Sequence, residues 1–408
     1  GFASAAISAM MLLGTVCMLG LGTLLIGELP RQPGKEGSLI SAALIVVGGV
    51  GGVFGILFAV GASFVSADLQ PLWANGADIA AFAIGVSLTA ITLVLDQALI
   101  GLLRGSVQFW RNTLFAVAKF LALFIPGLWL VNEAGMRIYV TWLLGNALSL
   151  LALVAFLIRR KERVKRTHVL PQWGLLRKLG AAALQHHVLN LILLAPPLIL
   201  PILVTIQLSA TANAWFYVSY MLANFVFGVP YALSTVLYAM GSAQPAQLAH
   251  KTRITLGLSL LAAIVANGVL QLGARQVLGL FGHIYAEQAI WSLRILLLAA
   301  FPITVKSHYI AINRIQGKIG YVVLPIAVAT LLEVSAAAVG AHFGGVAGLS
   351  LGWLGALCAQ AIFMSRTVYK AMLHTRVHMA NDQLESNASY AEDTNNMDKT
   401  RARTEFLI

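Results

Sequence analysis

The stretch RRKERVKRTHVLPQWGLLRK, residues 159–178, carries eight Lys or Arg in twenty positions. It lies inside a chain of 408 residues, of which 59% are hydrophobic and only 10% are charged. A soluble domain usually has about a quarter of its residues charged, so this composition predicts a surface that faces lipid. The basic stretch must therefore be explained by its place between membrane-crossing segments.

A membrane-crossing helix needs about 20 mostly apolar residues. Eleven segments of the sequence meet this requirement: residues 3–28, 38–66, 78–103, 108–132, 137–158, 179–206, 212–239, 253–273, 288–312, 319–341 and 345–373. The sequence thus predicts an all-α integral membrane protein, a polytopic bundle with eleven transmembrane helices.

The basic residues between these spans lie mainly on one side of the membrane. Loops after odd-numbered spans hold nearly all of them, and the opposite loops hold only Arg137 and Arg275. Because cytoplasmic loops are enriched in Lys and Arg, every odd-numbered span is predicted to end in the cytoplasm. Residues 159–178 then form a cytoplasmic linker between an N-terminal lobe, 1–158, and a C-terminal lobe, 179–373. The polar residues 374–408 are predicted to form a disordered cytoplasmic tail.

The linker divides five spans from six. This division is one helix short of a transporter built from two six-helix halves. We therefore expect twelve helices in the full fold, with the first of them missing before Gly1. The linker has a single aromatic residue, Trp173, so no nucleic-acid partner is predicted.

Sequence motifs favour transport over catalysis. The chain has no G-x-x-x-x-G-K-[ST] phosphate loop and no H-E-x-x-H zinc motif, so neither ATP hydrolysis nor metalloenzyme chemistry is predicted. The two cysteines, Cys17 and Cys358, lie far apart, and no cofactor or metal site is expected. Glycines at small-xxx-small spacing, Gly48/Gly52, Gly51/Gly55 and Gly344/Gly348/Gly352, predict close helix packing. A membrane-embedded sugar transferase remains an alternative class.

Ionisable residues inside the N-terminal spans are candidate functional groups, because burying them in a membrane is costly. Lys119 is predicted near the midplane of the fourth span. Asp96 and Gln97 lie toward the cytoplasmic end of the third span, on the same helical face as Arg104. These residues are candidates for a polar cluster that closes the inner end of the bundle.

The C-terminal spans carry a second set of polar residues. His186 and Asn190 are i, i+4 neighbours early in the sixth span, and Lys306 lies toward the cytoplasmic side of the ninth. All three are candidates for a substrate-binding cavity. From helix rise, Arg294 and Glu333 lie at equal depth, which predicts an ion pair that is either structural or proton-coupled. Cations outnumber carboxylates among the buried groups, and this balance favours an anionic substrate.

Three stretches resemble a known family: LDQALIGLLRGSVQFWRNTLFAVAKFLAL (95–123), NAWFYVSYMLANFVFGVPYALSTVLYAMGS (213–242) and LGLFGHIYAEQAIWSLRILLLAAFP (278–302). They are similar to Wzx-type polysaccharide and O-antigen flippases, which belong to the superfamily that also holds multidrug extruders. The resemblance implies two helical lobes around a central cavity. It also implies alternating-access export of undecaprenyl-pyrophosphate-linked oligosaccharide across the bacterial inner membrane, for surface polysaccharide or lipopolysaccharide.

The resemblance also suggests which residues bind the substrate. Arg104, Arg111 and Lys119 match the cationic cavity positions expected to meet the pyrophosphate. A coupling proton or sodium ion and a polysaccharide polymerase or ligase are compatible partners. The alternative on the same fold is an ion-coupled small-molecule or multidrug antiporter.

Overall fold

The computed structural model describes residues 2–65, 72, 75–122, 134–159 and 170–373. Within these ranges the chain forms helices and no strands. The α-helices are α1 Phe2–Cys17, α2 Leu21–Glu28, α3 Glu36–Val65, α4 Gly76–Gly101, α5 Gly105–Ala122, α6 Ala134–Arg159, α7 Trp173–Gln207, α8 Ala210–Ala243, α9 Leu248–Gly279, α10 His283–Gln288, α11 Ile290–Leu298, α12 Ala300–Ile315 and α13 Ile319–Leu373.

Most of these helices are long and apolar enough for a membrane. Seven helical segments of the described chain qualify, or eight if the bent pair Ala5–Cys17 and Leu21–Arg31 forms one span. The helix α13 covers two predicted spans, because Gly344 and Gly345 have non-helical dihedrals and divide it into two arms. The helices α5 and α6 occupy the predicted positions of two more spans, but they are not both long and apolar enough to qualify as membrane-crossing helices. The all-helical, multi-span prediction is confirmed, and the count of eleven stays a prediction.

Half of the predicted linker and all of the predicted tail lie outside the described residues. Residues 160–169 of the linker and 374–408 of the tail are not described. The end of the predicted linker is helical, since α7 begins at Trp173. The helix α7 also continues through Pro196, Pro197 and Pro201, although proline lacks the backbone N–H that a helix interior uses. Membrane helices tolerate proline when neighbouring groups satisfy the freed backbone carbonyls.

Buried apolar side chains form two main clusters, one before and one after the predicted linker. The first cluster is built from α1–α4 and α6, with Ala183 of α7 added. The second is built from α7–α13. Many large apolar side chains point outward instead; Leu272, Phe343 and Phe363 are each more than four-fifths exposed. This arrangement fits a bundle whose outer surface contacts lipid.

Glycines produce close helix contacts at most of the predicted positions. A Cβ added at Gly55 would lie 2.6 Å from the Ala83 Cα atom of α4. Between the two arms of α13, a Cβ added at Gly348 would lie 2.2 Å from the carbonyl oxygen of Gly340. Gly52 contacts nothing at this distance, and Gly344 lies at the break itself. The glycine spacing therefore predicted the helix-packing faces correctly, but not every glycine in the pattern lies in a close contact.

The helices α1 and α2 meet at a bend of 50° that brings α2 against α7. Gly20 at this bend has a φ of +71°, which glycine adopts readily. A Cβ there would lie 2.1 Å from the Ala183 carbonyl oxygen and 2.6 Å from the His187 backbone nitrogen. The close approach of the two backbones places α2 beside the polar face of α7.

Gly20→Ala is expected to destabilise the protein by about 3 kcal/mol or more, since it combines backbone strain with a clash against backbone atoms. Gly34 is the matched control, because its φ is +85° and a Cβ there contacts nothing. Gly34→Ala should cost only the strain, about 1 kcal/mol. Melting temperatures of the two variants in detergent measure the difference. Equal melting temperatures would contradict the packing of α2 on α7.

Candidate functional site

A central cavity of about 600 Å³ lies between helices that precede and follow the predicted linker. The helices α1, α2, α4 and α5 form one side of it, and α7, α8, α12 and α13 form the other. Its polar and aromatic lining consists of Thr15, Thr23, Asp96, Gln97, Gln108, His187, Asn190, Tyr220, Asn224, Phe227, Tyr231, Ser234, Thr235, Tyr238, Lys306, Ser307, Arg314, Glu333 and Trp353. Cavities between the helices of a bundle are common binding sites for small ligands.

Glu333 of α13 is the most enclosed charge in this cavity, at 1% exposure. One carboxylate oxygen pairs with the Lys306 ammonium of α12, and the Trp353 indole nitrogen donates to the other at 3.0 Å. The rings of Tyr220 and Phe227 pack against Trp353, with centroids 5.9 and 6.0 Å away. Both oxygens therefore have a donor, as a buried carboxylate requires.

The predicted ion pair between Arg294 and Glu333 is wrong. Arg294 lies against α9, where its guanidinium donates to the Gln271 carbonyl oxygen at 3.4 Å, and it lies 5.5 Å from the Trp291 ring. Helix rise gave the depth of each residue but not the direction in which its side chain points. Depth also assumed untilted, unbroken spans, whereas α11 ends at Leu298 before α12 begins.

The second ion pair at the cavity joins Asp96 of α4 to Arg111 of α5. The Arg111 Nε and Nη2 atoms donate to the two carboxylate oxygens at 2.8 and 2.6 Å. Asp96 lines the cavity, while Arg111 lies behind it and is 6% exposed. The expected partner Arg104 is exposed in the turn after α4, which ends at Gly101, so the helical spacing no longer applies.

The three cations assigned to the pyrophosphate do not line the cavity. Arg111 is paired with Asp96, and Arg104 lies in the exposed turn. Lys119 lies between α5 and α6, with its ammonium 4.0 Å from the Trp142 ring centroid and 5.3 Å from that of Phe115. Such cation–π contacts stabilise a partly buried ammonium. The resemblance located a cationic region, but none of its three cations lines the cavity.

On α7 the cavity-facing histidine is His187, one residue after the predicted His186. Asn190 lines the cavity together with His187, not with His186. The His186 ring is 2% exposed and lies 6.2 Å from the Tyr238 ring. Among the described residues, no group of three or more His, Cys, Asp or Glu could hold a metal ion.

Arg314 was not predicted to belong to the site. Its position near the end of a span suggested a cytoplasmic loop residue, but it lies in the last turn of α12 and faces the cavity. Its Nη2 atom donates to the Asn190 side-chain oxygen Oδ1 at 2.7 Å, and its guanidinium lies 6.0 Å from the Tyr238 ring. The sequence signal was the spacing Lys306, Ile310, Arg314, which puts all three on one helical face.

The sequence also contains a pattern known from hydrolases, in a different structural setting. Residues 348–352 read G-L-S-L-G, which matches the G-x-S-x-G nucleophile motif. That motif requires a sharp turn between a strand and a helix, whereas Ser350 lies inside the second arm of α13. Its hydroxyl lies 2.7 Å from that of Ser292 and donates to the Val346 carbonyl oxygen. Ser350 therefore serves helix packing.

The fold is similar to that of solved membrane transporters. A MATE structure in the straight conformation has a TM-score of 0.71 at 16% identity, over 93% of this chain and 89% of that chain. An outward-facing multidrug resistance MATE family transporter of the MOP superfamily has a TM-score of 0.68 at 16% identity, over 92% and 88%. A MOP superfamily transporter from Pyrococcus furiosus, described as having a binding pocket of reverse polarity, has a TM-score of 0.65 at 16% identity, over 93% and 89%.

Neither protein-family models nor curated proteins match the sequence. At these identities the structural likeness establishes the fold alone. The chain thus has the helical fold seen in MATE transporters of the MOP superfamily. The resemblance to that superfamily is supported at the level of fold, while the flippase branch within it stays a proposal.

Proposed function

We propose that this chain is a membrane transporter that moves an anionic, lipid-linked oligosaccharide by alternating access. The observation that carries the proposal is the charge of the central cavity. Lys306 is balanced by Glu333, and Asp96 is balanced by Arg111. Arg314 forms no ion pair with a carboxylate of the described residues. Its guanidinium donates to the neutral side-chain amide of Asn190 and lies 6.0 Å from the Tyr238 ring. One positive charge is left over, and a pyrophosphate group complements it.

The apolar lining supports an amphipathic substrate. A second cavity of about 410 Å³ lies between α7 and α8 and shares Pro197, Tyr220 and Asn224 with the central one. Its outer wall includes Tyr217 and Phe225, which are 56% and 75% exposed on the lipid-facing surface. A charged head group in the central cavity could thus remain attached to a polyprenyl chain that passes between these helices into the bilayer.

The wider sequence predictions belong to this proposal. They comprise two lobes, residues 1–158 and 179–373, with eleven transmembrane helices. They also comprise a bacterial inner-membrane location with a cytoplasmic C-terminus. The partners would be a lipid-linked glycan, a coupling proton or sodium ion, and a polysaccharide polymerase or ligase.

Transport by purified protein in liposomes tests the proposal. Fluorescently labelled polyprenyl pyrophosphate should cross the bilayer at least tenfold faster with the protein than without it. The measurement is loss of fluorescence when a membrane-impermeant quencher is added outside. Protein-free liposomes and liposomes with heat-denatured protein are the controls. No acceleration, combined with uptake of a cationic dye driven by a pH gradient, would favour the alternative.

That alternative is an ion-coupled multidrug antiporter. The observation favouring it is Glu333, a buried carboxylate in the cavity whose ion pair with Lys306 could be exchanged for a proton. The structural likeness to multidrug MATE transporters is compatible with it. The pairing of both cavity carboxylates with cations counts against a cationic substrate, because neither carboxylate is left to bind it.

A further inference from the structure

A directional chain of hydrogen bonds crosses one end of the central cavity. Arg314 of α12 donates to the Asn190 side-chain oxygen Oδ1 at 2.7 Å, and the Asn190 side-chain nitrogen Nδ2 donates to the Thr23 hydroxyl of α2 at 2.9 Å. Thr23 donates in turn to the Gln97 side-chain oxygen of α4 at 3.1 Å. Each donor points the same way, so the bonds polarise and strengthen one another. We call these four residues the latch.

Apolar contacts close the cavity at the same end. Ile26 of α2 belongs to a buried cluster with Tyr238 of α8 and Ile315 of α12. Arg31 donates to the Ile315 carbonyl oxygen at 2.6 Å. The latch and this cluster therefore hold α2 against α8 and α12. In the predicted topology, this is the cytoplasmic end.

The charged member of the latch has a weak partner. Asn190 offers one neutral oxygen to Arg314, and the Arg314 Nε atom is buried with no hydrogen-bond partner. The equivalent pair of nitrogens on Arg111, Nε and Nη2, binds both oxygens of Asp96. A phosphate group offers the same two-oxygen geometry with more negative charge, so it should displace an amide from Arg314.

We propose that the anionic head group of the substrate releases the latch by taking the place of Asn190 on Arg314. Binding of the head group then breaks the hydrogen bonds that hold α7 and α12 to α2 and α4, and this end of the cavity can open. All four latch residues line the cavity, so a bound ligand can reach them. The inference rests on the proposed function and adds that the binding residue is also the gating residue.

The test combines Asn190→Ala with a measurement of opening. Spin labels would be attached at Lys35 and Lys318 in a variant whose two native cysteines are replaced by serine. Pulsed electron paramagnetic resonance would then measure the distance between the labels, which reports the opening of the latch end of the cavity. The wild type should show one short distance, and added farnesyl pyrophosphate should produce a longer one. Asn190→Ala should show the longer distance without ligand and bind farnesyl pyrophosphate about tenfold more tightly, a gain of about 1.4 kcal/mol.

Two further variants keep the test decisive. Gln185→Ala, an exposed position on the same helix, should behave like the wild type. Thr23→Val removes the hydrogen bonds of Thr23 to Asn190 and Gln97 but keeps the bond between Arg314 and Asn190. It should lengthen the distance between the spin labels with less change in the affinity for farnesyl pyrophosphate. Unchanged distance and affinity in Asn190→Ala would overturn the latch, while binding that still depends on Arg314 would leave the proposed function standing. Binding that is absent, or indifferent to Arg314, would overturn both.

Discussion

Glu333→Gln is expected to lower the free energy of unfolding by about 3–5 kcal/mol, because it leaves the buried Lys306 ammonium without its counter-charge. Lys306→Gln should cost a similar amount for the converse reason. The double variant should recover much of the loss, since it leaves no uncompensated charge. Thermal melts of the three proteins in detergent measure these effects, with export of surface polysaccharide as a parallel assay.

The ion pair of Arg31 and Glu28, which is less buried than that of Lys306 and Glu333, provides the control. Its side chains are 33% and 17% exposed, and Glu28→Gln should cost less than about 1 kcal/mol. If Glu333 is instead a proton switch, Glu333→Gln mimics its protonated form and should stop transport without a loss of stability. A Glu333→Gln variant that is fully stable and fully active would contradict both versions.

Arg314→Gln is expected to weaken binding of farnesyl pyrophosphate at least a hundredfold. The variant removes two charge-assisted hydrogen bonds, each worth about 1.5–3 kcal/mol, from a site that has no other unpaired cation among the described residues. The affinity of Arg314→Lys should lie between those of the wild type and Arg314→Gln, because lysine keeps the charge but not the two-nitrogen geometry. Isothermal titration calorimetry on the purified proteins measures the three affinities.

Arg294→Gln is the matched control for this experiment. Arg294 is a partly buried arginine of the same part of the chain, yet it contacts α9 and does not line the central cavity. Its variant should keep the wild-type affinity. Equal losses in the two variants would show that the effect comes from general destabilisation and not from a missing ligand contact.

The helical architecture could be predicted because lipid imposes a simple rule on composition. Spans must be apolar and about 20 residues long, so their approximate bounds follow from the sequence alone. The break in α13 was also visible, since Gly344 and Gly345 separate two apolar runs. The kink between α1 and α2 was not, because neighbouring apolar residues conceal the left-handed turn at Leu19 and Gly20.

The site was harder to predict because depth along a helix does not give the direction of a side chain. Five residues that the sequence singled out for various roles lie along the cavity: Asp96, Gln97, Asn190, Lys306 and Glu333. Arg294 and Lys119 were placed at suitable depths, but each faces a neighbouring helix. Knowing which face of each helix is enclosed requires the packing of all helices together.

Arg314 shows a second limit of sequence analysis. A basic residue at the end of a span satisfies the topology rule, so its charge seemed already explained. The same residue also continues the helical face that begins at Lys306. One residue can therefore both satisfy the topology rule and lie in a binding site. The second role became visible only through the contact of Arg314 with Asn190.

The most direct test of the account is whether the central cavity prefers an anionic head group. Purified protein would be titrated with farnesyl pyrophosphate, with farnesol as the uncharged analogue, and with ethidium as an aromatic cation. We expect saturable binding of farnesyl pyrophosphate that weakens as salt is raised, and no binding of farnesol or ethidium under the same conditions. Saturable binding of ethidium with none of farnesyl pyrophosphate would contradict the account.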